Sequence, residues 1–349
     1  MVSNFKKTYL FVFALIALAA LHLSYTRYSG PNNYLYSFVF KSQRREQVQQ
    51  SEKQYTKNIN ELFKIVHGQD PHIALMELQH RMDTDPYVFK NCHSMAHEIG
   101  REAYKKYNDF AAALKYQDIT CSDGYLHGVI EGRFARVADI FKDMKSVCNN
   151  YGIEADRCYH GVGHGVMYYT SNDLPKSLTI CGTTYQNIPR KRCYEGVFME
   201  NFLSGSNLHP SKYLNPDNPM YPCPQEKEDY KGFCYFYAPY YFLRLNNYDY
   251  KAAIKWCNTA ESNYIYTCIR GVGSLAMKFN IRDPKYVESL CNTITTAKLE
   301  RACIYGMASY YFTFWDNLSK VRQMCSTLEE KNRLICDIYV SSKERRPVD

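Results

Sequence analysis

Fourteen cysteines and their spacing constrain this chain more than any other feature. After Cys92 and Cys121 they fall into consecutive pairs: Cys148 and Cys158, Cys181 and Cys193, Cys223 and Cys234, Cys257 and Cys268, Cys291 and Cys303, Cys325 and Cys336, each 10 to 12 residues apart. An even number at regular spacing predicts disulfides between successive partners. Zinc sites use closer pairs such as C-x2-C, and the chain has none; it has no CxxCH for covalent haem either. Six sequential bridges are expected, with Cys92–Cys121 as a seventh of different reach.

The second cysteine of each pair opens a segment of common form: "CSDGYLHGVIEG" from Cys121, "CYHGVGHGVMYY" from Cys158, "CYEGVFMENF" from Cys193, "CYFYAPYYFLR" from Cys234, "CIRGVGSLAMKF" from Cys268 and "CIYGMASYYFTF" from Cys303. Counting Cys336 as the last, the starts lie 37, 35, 41, 34, 35 and 33 residues apart. A period near 35 is that of a helical-hairpin array. The second helix of each hairpin is expected to open with an aspartate and close at a cysteine: Asp139 to Cys148, Asp173 to Cys181, Asp249 to Cys257, Asp283 to Cys291, Asp316 to Cys325. Aspartate accepts the free amide hydrogens of a first turn, and Asp283-Pro284 adds proline where its missing N–H does no harm. Each disulfide then ties the end of one helix B to the start of the next helix A, contributing about 3 kcal/mol by loop closure.

Glycines recur three and often seven residues after the cysteine, as at Gly124, Gly128, Gly161, Gly165, Gly196, Gly271 and Gly306. That spacing puts them on one face of helix A. They predict close approach of a neighbouring helix, which offsets roughly 1 kcal/mol of lost helix propensity per glycine.

The segment "DYKAAIKWC" (Asp249 to Cys257) resembles the second helix of a Sel-one-like repeat, and residues 90 to 340 resemble the Sel-one-like and tetratricopeptide families, especially their secreted cysteine-rich members. The resemblance is architectural. The cysteine gap and the His-Gly pairs depart from the repeat consensus. It implies a scaffold for protein contacts.

The chain begins differently. "KKTYLFVFALIALAALHLSYTR" is an apolar run flanked by Lys6 and Lys7. Its apolar stretch of about 17 residues is at the low end for spanning a bilayer. A cleaved signal peptide and an uncleaved anchor are both open readings. The small-residue stretch Ala17-Leu18-Ala19 lies inside the run rather than after it, which favours the anchor. The expected organisation is a signal-anchor at 1–27, a polar stalk at 28–69, the repeats at 70–340 and a tail at 341–349. The lead-in helix starts at "DPHIALMELQHRM", capped by Asp70-Pro71. The repeats would lie outside the cytosol, on a single-pass membrane protein or a secreted one.

Positions two, six and ten after each cysteine share a helix face. They are Asp123, His127 and Glu131 in one repeat, and His160, His164 and Tyr168 in the next. In "NCHSMAHEIGR" a one-residue shift gives His93, His97 and Arg101. Later repeats carry Glu195, Met199 and Leu203, then Arg270, Ser274 and Lys278, then Tyr305, Ser309 and Thr313. Metal-type residues are thus concentrated in three consecutive repeats. Equivalent faces of successive A helices line one surface, so His93, His97, Asp123, His127, Glu131, His160 and His164 are expected to converge. His97, His127 and His164 would be the central ligands of a divalent metal, zinc, iron or manganese. The leading reading is then a metal-binding domain, which leaves open whether the metal serves catalysis. The competing reading is a non-catalytic scaffold with a peptide or protein on its concave face. The net charge of +8 is spread along the chain, with no basic stripe, so nucleic acid is not indicated as a partner. A small molecule, a peptide or a protein on the His-lined face is. Residues 204 to 232 read as a solvated bulge in the array, with a lid as the alternative. The expected fold is all-α: about seven disulfide-stapled hairpins in a solenoid or an α/α toroid behind the anchor.

Overall fold

A computed structural model describes residues 34–149, 155–203 and 211–344. It divides into two compact units, Met1–Lys57 and Asn58–Asp349. In the first, the described part is helical: helix α1 (Tyr34–Gly68) begins there and ends in the second unit.

The second unit is a run of helical hairpins led by α2 (Pro71–Thr84), whose N-cap Asp70 accepts the Ile73 amide hydrogen at 3.0 Å. The A helices are α3 (Pro86–Tyr107), α5 (Thr120–Phe134), α7 (Ala155–Tyr169), α9 (Asn187–Leu203), α10 (Glu228–Leu245), α12 (Ile265–Phe279), α14 (Ala297–Trp315) and α16 (Glu330–Glu344). The B helices between them are α4 (Phe110–Leu114), α6 (Ile140–Val147), α8 (Leu174–Thr184), α11 (Tyr250–Cys257), α13 (Pro284–Cys291) and α15 (Leu318–Ser326). Between α9 and α10 the B helix is replaced by a turn-rich segment with one short 3-10 turn at Cys223–Gln225.

All seven expected disulfides are present, including Cys92–Cys121 across 29 residues. Side-chain oxygens of Asp139, Asp173, Asp249 and Asp283 cap their helices as anticipated. The last cap differs. Asn317, not Asp316, accepts the Lys320 amide hydrogen. Asp316 sits in the left-handed region at the end of α14 and pairs with Arg157 at 3.0 Å.

The glycines set the spacing between A helices. The glycine three residues after the cysteine faces the carbonyl of the residue two after the preceding cysteine: Gly196 on His160, Gly271 on Phe236 and Gly306 on Arg270. A Cβ at any of these would overlap a backbone oxygen, so the helices touch backbone to backbone.

The array closes on itself within this unit. Helix α14 touches α5, the Ser122 and Tyr310 hydroxyls meet at 3.4 Å, and Arg282 pairs with Asp83. The Lys90 ammonium lies 5.1 Å from the Tyr248 ring centre. Of the two shapes expected, the contacts are those of the closed one.

The N-terminal anchor requires correction. No helix among the described residues is long and apolar enough to cross a membrane. The long helix that is present, α1, carries the charged run "KSQRREQVQQSEKQ". The stretch assigned to the anchor, 1–27, lies outside the described residues. The signal-anchor, the single-pass topology with its extracytoplasmic placement, and the membrane as a partner are therefore withdrawn.

Candidate metal centre

The faces that the A helices turn inward line a central cavity of about 240 Å³. Every A helix contributes: His93 from α3, His127 from α5, His160 from α7, Glu195 and Met199 from α9, Tyr237 from α10, Ser274 and Lys278 from α12, Ser309 and Thr313 from α14, and Lys343 from α16. These are largely the positions two, six and ten after the cysteine. None of the described residues of the 204–232 segment lines the cavity. Tyr213 of that segment donates to Asp173, the cap of α8, and Ser211 donates to Asn201 near the end of α9.

Against one wall of this cavity five histidines pack together. His93, His97, His127 and His164 offer ring nitrogens that all lie within 4.8 Å of one another. A second group shares two of them: His97, Glu131, His164 and Glu200. The His127 and His164 rings stack with centroids 4.6 Å apart, and His93 and His97 are equally close, edge to face. All four are 5% exposed or less. These clusters are geometrically compatible with a divalent metal.

The hydrogen bonds decide which nitrogens are free to bind it. His93 Nδ1 lies 2.7 Å from the Cys121 carbonyl oxygen. A carbonyl only accepts, so Nδ1 carries the proton and the Nε2 lone pair is free in the neutral ring. His97 Nδ1 lies 2.7 Å from Glu131 Oε1, and Arg101 holds the other Glu131 oxygen. Burial pushes the Glu131 carboxyl up, but the charges and hydrogen bonds of His97 and Arg101 outweigh it and hold it below the usual carboxylate range. His97 therefore also donates through Nδ1. His97 Nε2 and His93 Nε2 face each other at 3.1 Å, with the His93 Nε2 lone pair pointing into the cluster.

The arrangement repeats one step along the array. His164 Nδ1 lies 2.8 Å from Glu200 Oε2, and His164 Nε2 lies 3.2 Å from His160 Nε2. Burial, and then the charge of Glu131, push the Glu200 carboxyl up to about 8. His127 sits between the two pairs, its ring centre 5.2 Å from those of His97 and His160. Its Nδ1 is buried with no hydrogen-bond partner among the described residues. Burial holds the His93, His127 and His164 rings well below the ordinary value of 6.5, and the neighbouring histidines add to the effect. Neutral imidazole is the form that binds metal.

Of the seven residues singled out from sequence, the structure thus brings His93, His97, His127 and His164 into one group and puts Glu131 behind His97. His160 touches His164 and lines the cavity but stands outside the group of four. Its own Nδ1 is 3.9 Å from Glu195, whose carboxyl is held down to about 2: burial raises it, but His160 and Arg192 outweigh that. Asp123 is absent from both groups. Cys121, Ser122 and Asp123 all have positive φ, so Asp123 leaves the helical face it was assigned to and pairs with Arg157. Glu200 was not anticipated. It stands seven residues after Cys193, one past the position read as metal-facing. The usable signal was its separation of 36 residues from His164, matching the 34 between His97 and Glu131.

Compared with family models, with curated proteins and with solved structures, the chain matches none. The all-helical, disulfide-paired repeat architecture therefore stands on its own geometry, and membership of the Sel-one-like or tetratricopeptide families is not shown.

Proposed function

We propose that this repeat domain holds a divalent transition metal at the wall of its central cavity, with His93, His97, His127 and His164 as the ligands. The observation that carries the reading is that four buried histidines from three helices bring ring nitrogens within 4.8 Å of one another. A cation held by these nitrogens would take the His93 Nε2 lone pair, which the bond from Nδ1 to the Cys121 carbonyl leaves free. Glu131 and Glu200 orient His97 and His164 from behind, as carboxylates commonly do for metal-binding histidines. Arg101 fixes Glu131 in turn. A donor set rich in imidazole favours zinc or iron over manganese, which prefers carboxylate and water.

Bound there, the metal would supply Lewis acidity to a group placed in the cavity. The chain's own contribution is a buried set of imidazoles whose Nδ1 atoms, on His93, His97 and His164, are held by the Cys121 carbonyl, Glu131 and Glu200. A scaffold on the same face would need no buried histidine cluster. The test is elemental analysis of purified protein and of two variants, His127→Ala and His80→Ala, the latter an exposed histidine on α2. Near-stoichiometric metal in the parent and in His80→Ala, with loss in folded His127→Ala, supports the reading. Equal metal content in both variants overturns it.

A further inference from the structure

Two kinds of cation line the cavity. Each arginine is shared by two carboxylates: Arg157 by Asp123 and Asp316, Arg192 by Asp156 and Glu195. These groups carry their own counter-charge, with carboxylate in excess. Lys278, ten residues after Cys268 on α12, differs. No carboxylate pairs with its ammonium among the described residues. Its recorded neighbours are the Tyr240 and Phe279 rings, with centres 5.6 and 5.8 Å away. Burial pulls the ammonium down to about 8, and no anion counters the shift. Its field reaches His93 and helps to keep that ring neutral. Ser274, one turn earlier on the same helix, and Ser309 on α14 also line the cavity. Next to them are the apolar side chains Leu275, Phe236 and Phe312.

A half-buried cation with no carboxylate partner among the described residues favours an anion beside it. A space of about 240 Å³ is too small for a helix or a folded partner. The excess of carboxylate around Arg157 and Arg192 would turn an anion away from them and toward Lys278.

We propose that the cavity binds a small anionic molecule, its carboxylate or phosphate group on the Lys278 ammonium and the Ser274 and Ser309 hydroxyls, its apolar body against Leu275 and Phe236, and its far end toward the histidine wall. Only that last contact rests on the metal reading above. The ligand class follows from Lys278, a cavity-lining cation that no carboxylate pairs with among the described residues.

The experiment is calorimetric titration of the full chain with benzoate, with its neutral isostere benzamide, and with inorganic phosphate, on the parent, Lys278→Met and Lys278→Arg, with bound metal measured on each sample. Benzoate should bind the parent at least about tenfold more tightly than benzamide, as a charge-assisted contact requires. Lys278→Met should erase that preference and Lys278→Arg should keep it. Phosphate bound by the parent and lost in Lys278→Met points to a phosphorylated ligand; benzoate alone points to a carboxylate. A parent that binds none of the probes, or that prefers benzoate no more than Lys278→Met does, overturns the proposal, whatever the metal content. If the parent holds no metal but retains Lys278-dependent anion binding, the anion seat stands and the metal reading fails.

Discussion

Gly124→Ala sets two known effects against each other at the metal site. Gly124 lies on α5, facing α3. A Cβ there would stand 2.6 Å from the His93 carbonyl oxygen and 2.8 Å from the Ala96 Cβ, with the His97 ring carbon Cδ2 at 3.3 Å. Ordinary contact begins at 3.4 Å, so α3 and α5 must separate by about 0.8 Å at this point, because neither a backbone oxygen nor a helical Cβ can step aside alone. Helix propensity alone would make alanine better by about 1 kcal/mol. Overpacking of a tight core costs about 1–3 kcal/mol. The clash is with backbone on a disulfide-held helix, so the upper part of that range applies and the variant should be about 1–2 kcal/mol less stable. The site should suffer more than the fold. Metal ligands tolerate displacements of about 0.2 Å, and His93 and His97 ride on α3 while His127 rides on α5. Metal affinity should fall about 10- to 100-fold, the range seen when supporting residues are disturbed. Urea unfolding of metal-free protein reads the first effect and competition against a chelating dye the second. Gly232→Ala on α10 is the control, since its nearest neighbour would be the Tyr264 ring at 3.8 Å; it should be neutral or slightly stabilising. Parental stability and metal affinity in Gly124→Ala would refute the account of the glycines as spacers.

Three further outcomes are expected. The folded-state values of His93, His127 and His164 are depressed below 6.5, so the unfolded chain binds more protons below that pH; their neutrality costs nothing above it and increasingly costs stability as the pH falls. With all three neutral, metal-free protein should lose up to about 4 kcal/mol per pH unit below 6.5 relative to a His93/His127/His164→Gln variant, read by denaturant midpoints; parallel pH profiles would show that these rings charge freely. Replacing Cys92 and Cys121 together by serine opens a 29-residue connection, about 3.6 kcal/mol against about 2.8 kcal/mol for the Cys325–Cys336 loop, and it also frees the Cys121 carbonyl that holds His93. Metal affinity should therefore drop for the first pair and not for the second, by dye competition. Finally, Arg157→Gln removes the link between α7 and the end of α14; hydrogen exchange should accelerate in α14, while unchanged exchange would mean the ring is closed without it.

What could be read from the sequence depended on whether a residue's partner lay within one repeat. The disulfides, the lead-in cap at Asp70 and the caps at Asp139, Asp173, Asp249 and Asp283 follow from neighbours a few residues away, and all were legible. Asp316 and Asn317 are adjacent and both good caps. Only the ring closure, which brings Arg157 to Asp316, decides between them, and no local rule contains it. The cluster of His93, His97, His127 and His164 was visible because duplication keeps one face in register from helix to helix. Asp123 was lost from it because three left-handed residues break that register at the start of α5. Glu200 was missed for the opposite reason: strict spacing pointed to Met199, while the carboxylate that reaches His164 comes from the next helix at a slightly different angle. Lys278 was seen as a repeat position, but that no carboxylate pairs with it among the described residues is a property of the closed array alone.

The contact between Ser122 and Tyr310 spans 188 residues. An open array can gain or lose a unit by duplication or deletion and still stack, because each repeat meets only its neighbours. A ring has no such freedom. Removing one hairpin here would part α14 from α5 and open the cavity to solvent, and adding one would leave an end with nothing to meet. The copy number of the repeat is thereby fixed by geometry, and the chain has exchanged extensibility for an inside.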